Sequence, residues 1–256
     1  MQYRFATERQ DYSDYASGRV FYGLPGHPAF PVRLASEIFQ RCMAIRQASG
    51  TSEPGALYDP CCGCAYHLSL LGYLHWHSID EIIGSDVDPQ VLSVAGRNLA
   101  LLTVDGINRR IAEISGMLTS YGKASHAAAL ESAQRLRNEL LRLVESHQVK
   151  TSLFCADATD STALRGKLAG REIGVVISDI PYGQRSAWQV PGAVPSSAAS
   201  PVHQMLEALL PVLSSKAVVA IASDKRQKVS HEGYQRIERF QVGKRQVVLL
   251  TPVMGR

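Results

Sequence analysis

The chain has 256 residues, of which 45% are hydrophobic and 20% charged, as expected of a globular protein with a full core. Its longest apolar runs are too short to span a bilayer, and its polar amino terminus lacks the apolar stretch of a secretory signal. We therefore expect a cytoplasmic protein that binds no membrane and keeps its five cysteines reduced.

The net charge of +4 is unevenly distributed along the chain. Residues 106–150 contain seven Lys or Arg against four Asp or Glu, and residues 224–256 contain eight against three. The rest of the chain is therefore acidic. Two basic segments on an acidic body are typical of a protein with a polyanionic partner, although solvated helix faces and a basic tail have the same composition.

The predicted elements begin with a helical leader in residues 1–50, and then strand and helix patterns alternate. The short apolar runs predicted as strands are residues 55–59, 80–86, 151–157, 173–179 and 216–224. The helical patterns between them are residues 67–76, 89–102, 160–170 and 203–214. Strands with such continuous hydrophobicity are typical of a parallel sheet that is covered on both faces.

Three further segments complete the predicted architecture. Residues 106–150 have the pattern of a helical hairpin inserted between the second and third strands. Residues 184–201 are rich in Pro, Ser, Ala and Gly, which predicts a mobile loop. Residues 234–242 and 246–253 flank Gly243-Lys244 and predict a β-hairpin. We expect a single α/β domain with a mostly parallel seven-stranded sheet and helices on both faces.

Each of the five predicted strands ends in an aspartate, and the four that we consider as a site at one edge of the sheet are Asp59, Asp86, Asp157 and Asp179. Ligands of open parallel sheets bind outside the carboxyl ends of the strands, at the topological switch point. One aspartate in such a position is usually a helix N-cap. Four of them favour a binding site.

The first two acids predict a nucleoside ligand. Asp59 precedes a turn around Gly63 that leads into a helix, so a ligand can approach the backbone N–H groups there. Asp86 lies about 20 residues further on, where an acid binds ribose hydroxyls in nucleotide-binding units. The turn lacks a complete G-x-G-x-x-G, which favours a nucleoside without pyrophosphate, such as S-adenosylmethionine. Asp157 is then placed to accept from an adenine amino group.

Residues 178–183, SDIPYG, resemble the (Asn/Asp)-Pro-Pro-(Tyr/Phe) box of methyltransferases that act on nucleobase nitrogens, with Ile180 in place of the first proline. Such a nitrogen is a weak nucleophile because its lone pair is conjugated. If Asp179 accepts its N–H, the electron density rises as the methyl group arrives. Pro181 fixes the chain direction, and Tyr182 offers a ring to an unstacked base. The alternative is an ordinary strand end with an Asx turn and a core tyrosine.

The cysteine-rich stretch YDPCCGCAYHL, residues 58–68, contains three of the five cysteines. A zinc site needs four ligands at suitable spacing, and Cys61-x-x-Cys64 is not followed by a second pair, so we predict no metal and no redox role. The stretch resembles instead the DPxCGxG loop of amino-methylating class I methyltransferases, with Ala65 in place of the second glycine.

A narrower resemblance is carried by the leader YRFATERQDYSDYASG, the loop DPCCG, SDVDP with NLALL, and DIPYG followed by a tryptophan-containing loop. Together these stretches resemble the AviRa family of avilamycin-resistance rRNA methyltransferases, over most of the chain. The resemblance implies a Rossmann-like class I methyltransferase that uses S-adenosylmethionine to methylate ring N1 of one guanine in 23S rRNA of the large ribosomal subunit. In the family's native setting this activity gives resistance to orthosomycin antibiotics.

The resemblance also implies roles for single residues. Those expected to contact the cofactor are Phe30, Arg33, Asp59, Pro60, Cys61, Cys62, Gly63, Asp86, Val87, Asp88, Asp157 and Ala158, with Arg33 near its carboxylate. Those expected to hold the target base are Asp179, Ile180, Pro181 and Tyr182. Those expected to contact RNA are Arg109, Arg110, Arg135, Arg137, Arg142, Arg185, Trp188, Lys225, Arg226, Lys228, Lys244 and Arg245, mostly through phosphates.

Two other functions remain open from the residues alone. The same cofactor and box would serve methylation of an exocyclic amine, such as guanine N2 or adenine N6 in RNA or DNA, or of a protein glutamine. A non-catalytic ribosome-binding protein with a vestigial fold would have lost the cofactor acids, and all of them are present. Because the sequence has no heptad seam, we expect a monomer.

Overall fold

The computed structural model of the chain describes residues 3–25, 29–53, 55–180 and 200–253. Within these residues the strands are β1 (Gly55–Asp59), β2 (Ile79–Asp86), β3 (Lys150–Cys155), β4 (Ile173–Asp179), β5 (Leu213–Asp224), β6 (Tyr234–Val242) and β7 (Arg245–Pro252). They form one sheet in the order β3-β2-β1-β4-β5-β7-β6. Strands β1 to β5 pair with one another in parallel, and β7 is antiparallel to both β5 and β6.

The helices of the described residues are α1 (Val32–Ala48), α2 (Tyr66–Leu74), α3 (Pro89–Ala100), α4 (Val104–Tyr121), α5 (Ala124–Ser146), α6 (Ser161–Lys167) and α7 (Pro201–Leu209). Short 3-10 turns lie at Ser13–Tyr15, Trp76–Ser78 and Leu210–Val212. None of the helices in this part of the chain is long and apolar enough to cross a membrane.

The sheet is buried on both faces, which explains the continuous apolar runs of its strands. Along β5, Val218 and Ala220 pack into one core and Val219 and Ile221 into the other, because successive side chains point to opposite faces. Helices α1 to α5 cover the first face, and α6 and α7 cover the second. The predicted fold class, with its parallel sheet and carboxy-terminal hairpin, is confirmed.

Helices α4 and α5 lie between β2 and β3, pack against each other and extend the first core. Their apolar stripe is continuous with the core because Ile107 and Ile114 of α4 and Leu136 and Leu140 of α5 are buried. The leader packs on this pair, since Asp14 binds Arg135.

Several predicted boundaries were wrong. Strand β5 begins at Leu213 and not at residue 216, and the helix predicted over residues 203–214 ends at Leu209. The leader is helical only from Val32, because the backbone N–H groups of residues 4–6 bind the buried Glu37 carboxylate instead of forming a helix. Strand β3 ends at Cys155, two residues before the predicted end. Pro201 begins α7 behind the N-cap Ser200, so the predicted loop ends earlier. The rest of that loop lies outside the described residues.

Candidate functional site

The topological switch point lies between β1 and β4. Strands β2 and β3 continue the sheet on one side of β1, while β4 and β5 extend it on the other. Asp59 and Asp179 end the two central strands, and Asp86 ends β2 beside them. The predicted acids therefore meet at one edge, as the topology requires.

Asp157 reaches this edge from a turn, not from a strand end. Its Oδ1 accepts from the backbone N–H of Thr159 at 2.8 Å and from its hydroxyl at 2.7 Å. This Asx turn redirects the chain just after β3. Ala158 beside it is buried and packs into the second core.

The loop between β1 and α2 has two residues in the left-handed conformation, Gly63 at φ 52° and Ala65 at φ 53°. A Cβ added at Gly63 would meet nothing within 4 Å, so open space borders the loop there. Ala65 is fully buried at the start of α2, and it adopts a conformation that costs an L-residue about 1–2 kcal/mol. The loop is therefore held in place by its contacts rather than by residue preference.

Asp86 makes two of the hydrogen bonds that hold this region of the chain. Its Oδ2 accepts from the Gly63 N–H at 2.9 Å, and its Oδ1 accepts from the Asp88 N–H at 3.0 Å. Burial raises the pKa of Asp86 above its ordinary value, and the two N–H groups oppose that shift. Because a carboxylate has about four acceptor positions, it can bind ligand hydroxyls as well. Val87 and Asp88 follow, and Asp88 caps α3 through the Gln90 N–H.

Asp59 lies beneath the loop and does not line open space. It is fully buried, with Oδ1 accepting from the Cys61 N–H at 2.9 Å and Oδ2 at 3.1 Å from Nε2 of His67. Burial by itself would lower the pKa of His67, but the hydrogen bond and charge of Asp59 raise it above its ordinary value. The prediction that Asp59 contacts a cofactor does not agree with the structure, because its carboxylate is fully buried and binds the loop backbone and His67.

Asp179 ends β4 on the other side of the switch point. Its Oδ2 lies 3.6 Å from Nη2 of Arg245, and among the described residues its buried Oδ1 has no hydrogen-bond partner. Burial raises its pKa to about 6, against the opposing charges of Arg245 and His67. Phe30 covers this corner, with its ring 5.5 Å from the Arg245 guanidinium and 5.8 Å from the His67 ring.

Comparison with known proteins decides the family. A family model described as "rRNA methyltransferase AviRa" matches residues 1–245. The chain belongs to the AviRa family. It is 42% identical over 248 residues, or 97% of this chain and 95% of the relative, to the "23S rRNA (guanine(2535)-N(1))-methyltransferase" of Streptomyces viridochromogenes.

Solved structures agree with this assignment. Two structures of the rRNA methyltransferase aviRa from Streptomyces viridochromogenes match at 40% identity, with TM-scores of 0.86 and 0.84. The first covers 98% of this chain and 96% of its own, and the second 97% and 96%. As a member of the AviRa family the chain is an enzyme with the Rossmann-like class I methyltransferase fold.

Of the loop cysteines of this AviRa-family chain, Cys62 is buried and Cys61 and Cys64 are half-buried. Burial, followed by the charges of Asp59 and Asp86, raises the pKa values of Cys61 and Cys62 well above the ordinary value. Cys62 packs closely on β2, since a Cβ added at Gly84 would lie 2.9 Å from its sulfur. Protonated thiols are poor nucleophiles and must lose a proton to bind zinc.

We accordingly expect a zinc chelator to change neither the melting temperature nor methyl transfer. The measurement is a thermal melt and an activity assay before and after dialysis against EDTA. Loss of either property, with recovery on addition of zinc, would contradict the prediction that these cysteines bind no metal.

Asn98 of α3 ties the leader to the loop and was not predicted as a site residue. It is fully buried, accepts from the Tyr22 N–H at 2.8 Å, and donates to the carbonyls of Tyr22 at 2.9 Å and Cys64 at 2.8 Å. Asn98 is the first residue of the stretch NLALL, on the buried face of the amphipathic helix α3. A polar residue in such a position could have been predicted to bind backbone groups of neighbouring segments.

Replacing Asn98 by alanine is expected to lower the free energy of unfolding by about 2–4 kcal/mol, because three backbone groups lose their partner. Urea denaturation measures the loss. The matched control is Asn108→Ala, since Asn108 is exposed and accepts only from Arg137 among the contacts recorded for it. An equal loss in both variants would show that the tether does not matter.

Two predicted contact residues have structural roles. Arg33 donates from Nε to the carbonyl of Ala6 and from Nη2 to that of Thr7, both at 2.8 Å, so it anchors the leader. Its expected contact with a cofactor carboxylate stays a prediction. Arg110 is buried, donates to the Val20 carbonyl at 2.8 Å and binds Glu113 at 3.0 Å. It is therefore corrected from a phosphate contact to a core residue.

Most of the remaining basic residues are on the surface. The exposed ones are Arg109, Arg135, Arg142, Lys225, Arg226, Lys228 and Lys244. Arg137 is half-buried beside Asn108, and Arg135 forms a two-pronged contact with Asp14. Arg245 faces Asp179. Pro181, Tyr182, Arg185 and Trp188 lie outside the described residues, so their roles remain predictions.

Proposed function

We propose that the chain transfers a methyl group from S-adenosylmethionine to ring N1 of a guanine in 23S rRNA, in the cytoplasm. The observation that carries this proposal is Asp179, a half-buried carboxyl at the switch point whose pKa burial raises to about 6. Family membership and the 23S rRNA guanine-N1 activity named for the relative in Streptomyces viridochromogenes support the substrate.

The residues around the loop fit this cofactor. The open space beside Gly63 admits its methionine end, bordered by Pro60, Cys61 and Cys62. We assign to Asp86 the ribose hydroxyls, because each of its oxygens has already accepted one N–H and retains a second acceptor position. Val87, Asp88, Asp157 and Ala158 would border the adenosine. The bound cofactor supplies a methyl group on a positively charged sulfur.

Asp179 suits the proton chemistry of guanine N1. That nitrogen carries a hydrogen and has its lone pair in conjugation, so it becomes a nucleophile as its proton leaves. A carboxyl with a pKa of about 6 is ionised at neutral pH and still basic enough to take that proton, as a general base should be. Its half-buried setting limits competition from water, and the proton returns to solvent when the product leaves.

The test is transfer of labelled methyl groups to 23S rRNA, large ribosomal subunits, tRNA and protein, followed by nucleoside analysis. We expect label in 23S rRNA alone and in 1-methylguanosine alone. Label in N2-methylguanosine or N6-methyladenosine would replace N1 with an exocyclic amine, and label in protein would overturn the RNA substrate. Expression in a sensitive host would test orthosomycin resistance, which stays a prediction from the family resemblance.

A further inference from the structure

We propose that Arg245 recognises O6 of the target guanine and stabilises the negative charge that forms there as N1 loses its proton. This inference rests on the proposed function and assigns a residue to its specificity. The sequence alone placed Arg245 among the phosphate contacts of a basic tail.

The sheet brings Arg245 to the site from the far end of the chain. It begins β7 directly after the hairpin turn and pairs with Asp224 of β5. On its other side β5 pairs with β4, where Ala222 lies opposite Asp179. The guanidinium of Arg245 therefore lies at the carboxyl ends of the parallel strands, with Nη2 3.6 Å from Asp179 Oδ2.

Its surroundings differ from those of a phosphate contact. The Arg245 side chain is only 23% exposed, and the Asp179 side chain 22%. The ring of Phe30 lies 5.5 Å from the guanidinium, within cation–π distance. The preceding residue, Lys244, is exposed. Of two consecutive basic residues, one faces solvent and the other is directed into the site.

A carboxylate beside a guanidinium complements one edge of guanine. That edge presents the N1–H donor next to the O6 acceptor, so Asp179 can accept the first while an N–H of Arg245 donates to the second. Adenine presents the reverse order, an acceptor at N1 and a donor at the amino group, and leaves both side chains unmatched. The pair thus selects guanine and selects N1 within it.

The same pair balances the charges of the reaction. The N1–H bond breaks toward Asp179, and the charge left on the base spreads to O6, where the guanidinium stabilises it. The new N1–carbon bond then forms as the sulfur–methyl bond breaks, with its electrons passing to sulfur. The charged groups that face Asp179 are Arg245 from β7, His67 from α2 and Asp59 from β1.

Arg245→Gln is the decisive variant, measured with 23S rRNA in full kinetics over a range of pH. We expect kcat to fall by about 10²–10³. We also expect the acidic limb of the kcat profile to move to higher pH, because the loss of the cation lets the pKa of Asp179 rise. Arg245→Lys keeps the positive charge but loses the planar guanidinium with its fixed N–H donors. The acidic limb of its kcat profile should therefore stay at the pH of the parent protein, while kcat falls at least about tenfold.

Arg171→Gln is the matched control. Arg171 and Glu81 form an ion pair at the opposite ends of the strands, with 3.4 Å between Nη2 and Oε1. The exposed fractions of the two side chains, 31% for Arg171 and 21% for Glu81, are similar to those of Arg245 and Asp179. This variant should keep the kcat and the pH profile of the parent protein. Thermal melting of every variant separates a chemical defect from unfolding.

The outcomes separate the two proposals. A raised KM with unchanged kcat and pH profile in Arg245→Gln would make Arg245 a phosphate contact and overturn this inference alone. Parent-like kcat in Arg245→Lys would overturn it as well, even if the glutamine variant does not fold. Absence of 1-methylguanosine with the parent protein would overturn the proposed function and this inference with it.

Discussion

Replacing Asp179 by asparagine is expected to abolish methyl transfer and at the same time to stabilise the folded chain at pH 7.5. The amide cannot take a proton from guanine N1, so we expect at least about a 10³-fold loss of kcat. It also removes a carboxylate whose burial raises its pKa to about 6. The general base of the site would thus lower the free energy of unfolding of the chain.

The sign of the stability change follows from proton linkage. A carboxyl whose pKa is higher in the folded state than in the unfolded state destabilises the fold when it is ionised. Above about pH 6 that cost is complete, and it amounts to about 1–3 kcal/mol for a shift of this size. Asp179→Asn should therefore gain stability at pH 7.5, gain less at pH 5, and gain nothing below about pH 4.

Denaturant unfolding at three pH values tests this prediction, and Asp224→Asn is the control. Asp224 ends the neighbouring strand β5 and also faces an arginine, but hydrogen bonds from Arg226 lower its pKa. Its removal should give no stabilisation at pH 7.5 and should leave kcat intact. If Asp179→Asn transfers methyl groups at a rate near that of the parent, Asp179 is not the base.

The second large effect is expected from Asp86→Asn, which should nearly eliminate cofactor binding. The variant loses the charge that accepts the Gly63 and Asp88 N–H groups and, in our proposal, the ribose hydroxyls. Hydrogen bonds to charged groups contribute about 1.5–3 kcal/mol each. Loss of the two that we assign to the ribose hydroxyls therefore raises the Kd for S-adenosylmethionine by about 10²–10⁴. The new NH₂ group would also face a backbone donor.

The measurement is the rise in melting temperature that S-adenosylmethionine produces, with calorimetry for Kd. Asp160→Asn serves as the control because, within the described ranges, the Asp160 side chain caps α6 through the Thr162 and Ala163 N–H groups and asparagine caps equally well. The control should keep the full ligand-induced shift. A full shift in Asp86→Asn would remove Asp86 from the cofactor site.

The strands were the most predictable part of the fold, because burial on both faces leaves a continuous apolar run. Strands β1 and β4 begin and end at the predicted residues. The acids at their ends were predictable for a topological reason, since carboxyl ends of parallel strands meet at one edge. The direction in which each carboxylate points was not predictable from the sequence. Asp59 turns inward because His67 and the loop backbone bind it, and these contacts form only on folding.

The roles of basic residues were the least predictable part of the site. A count of Lys and Arg treats Arg110 and Arg109 alike, yet one is buried and the other exposed. The helical spacing of Ile107, Arg110 and Ile114 could have revealed the buried one. Nothing local could have placed Arg245, because its position beside Asp179 depends on β7 pairing with β5, far from β4 in the sequence.

The most direct test of the central claim is primer extension on 23S rRNA treated with the protein and S-adenosylmethionine. A methyl group on N1 blocks Watson–Crick pairing and stops the polymerase, whereas a single methyl on the exocyclic amine leaves N1–H in place and lets it pass. We predict one strong stop at a guanine, dependent on the cofactor and absent with Asp179→Asn. Incorporation of methyl label into 23S rRNA without any stop would contradict transfer to guanine N1.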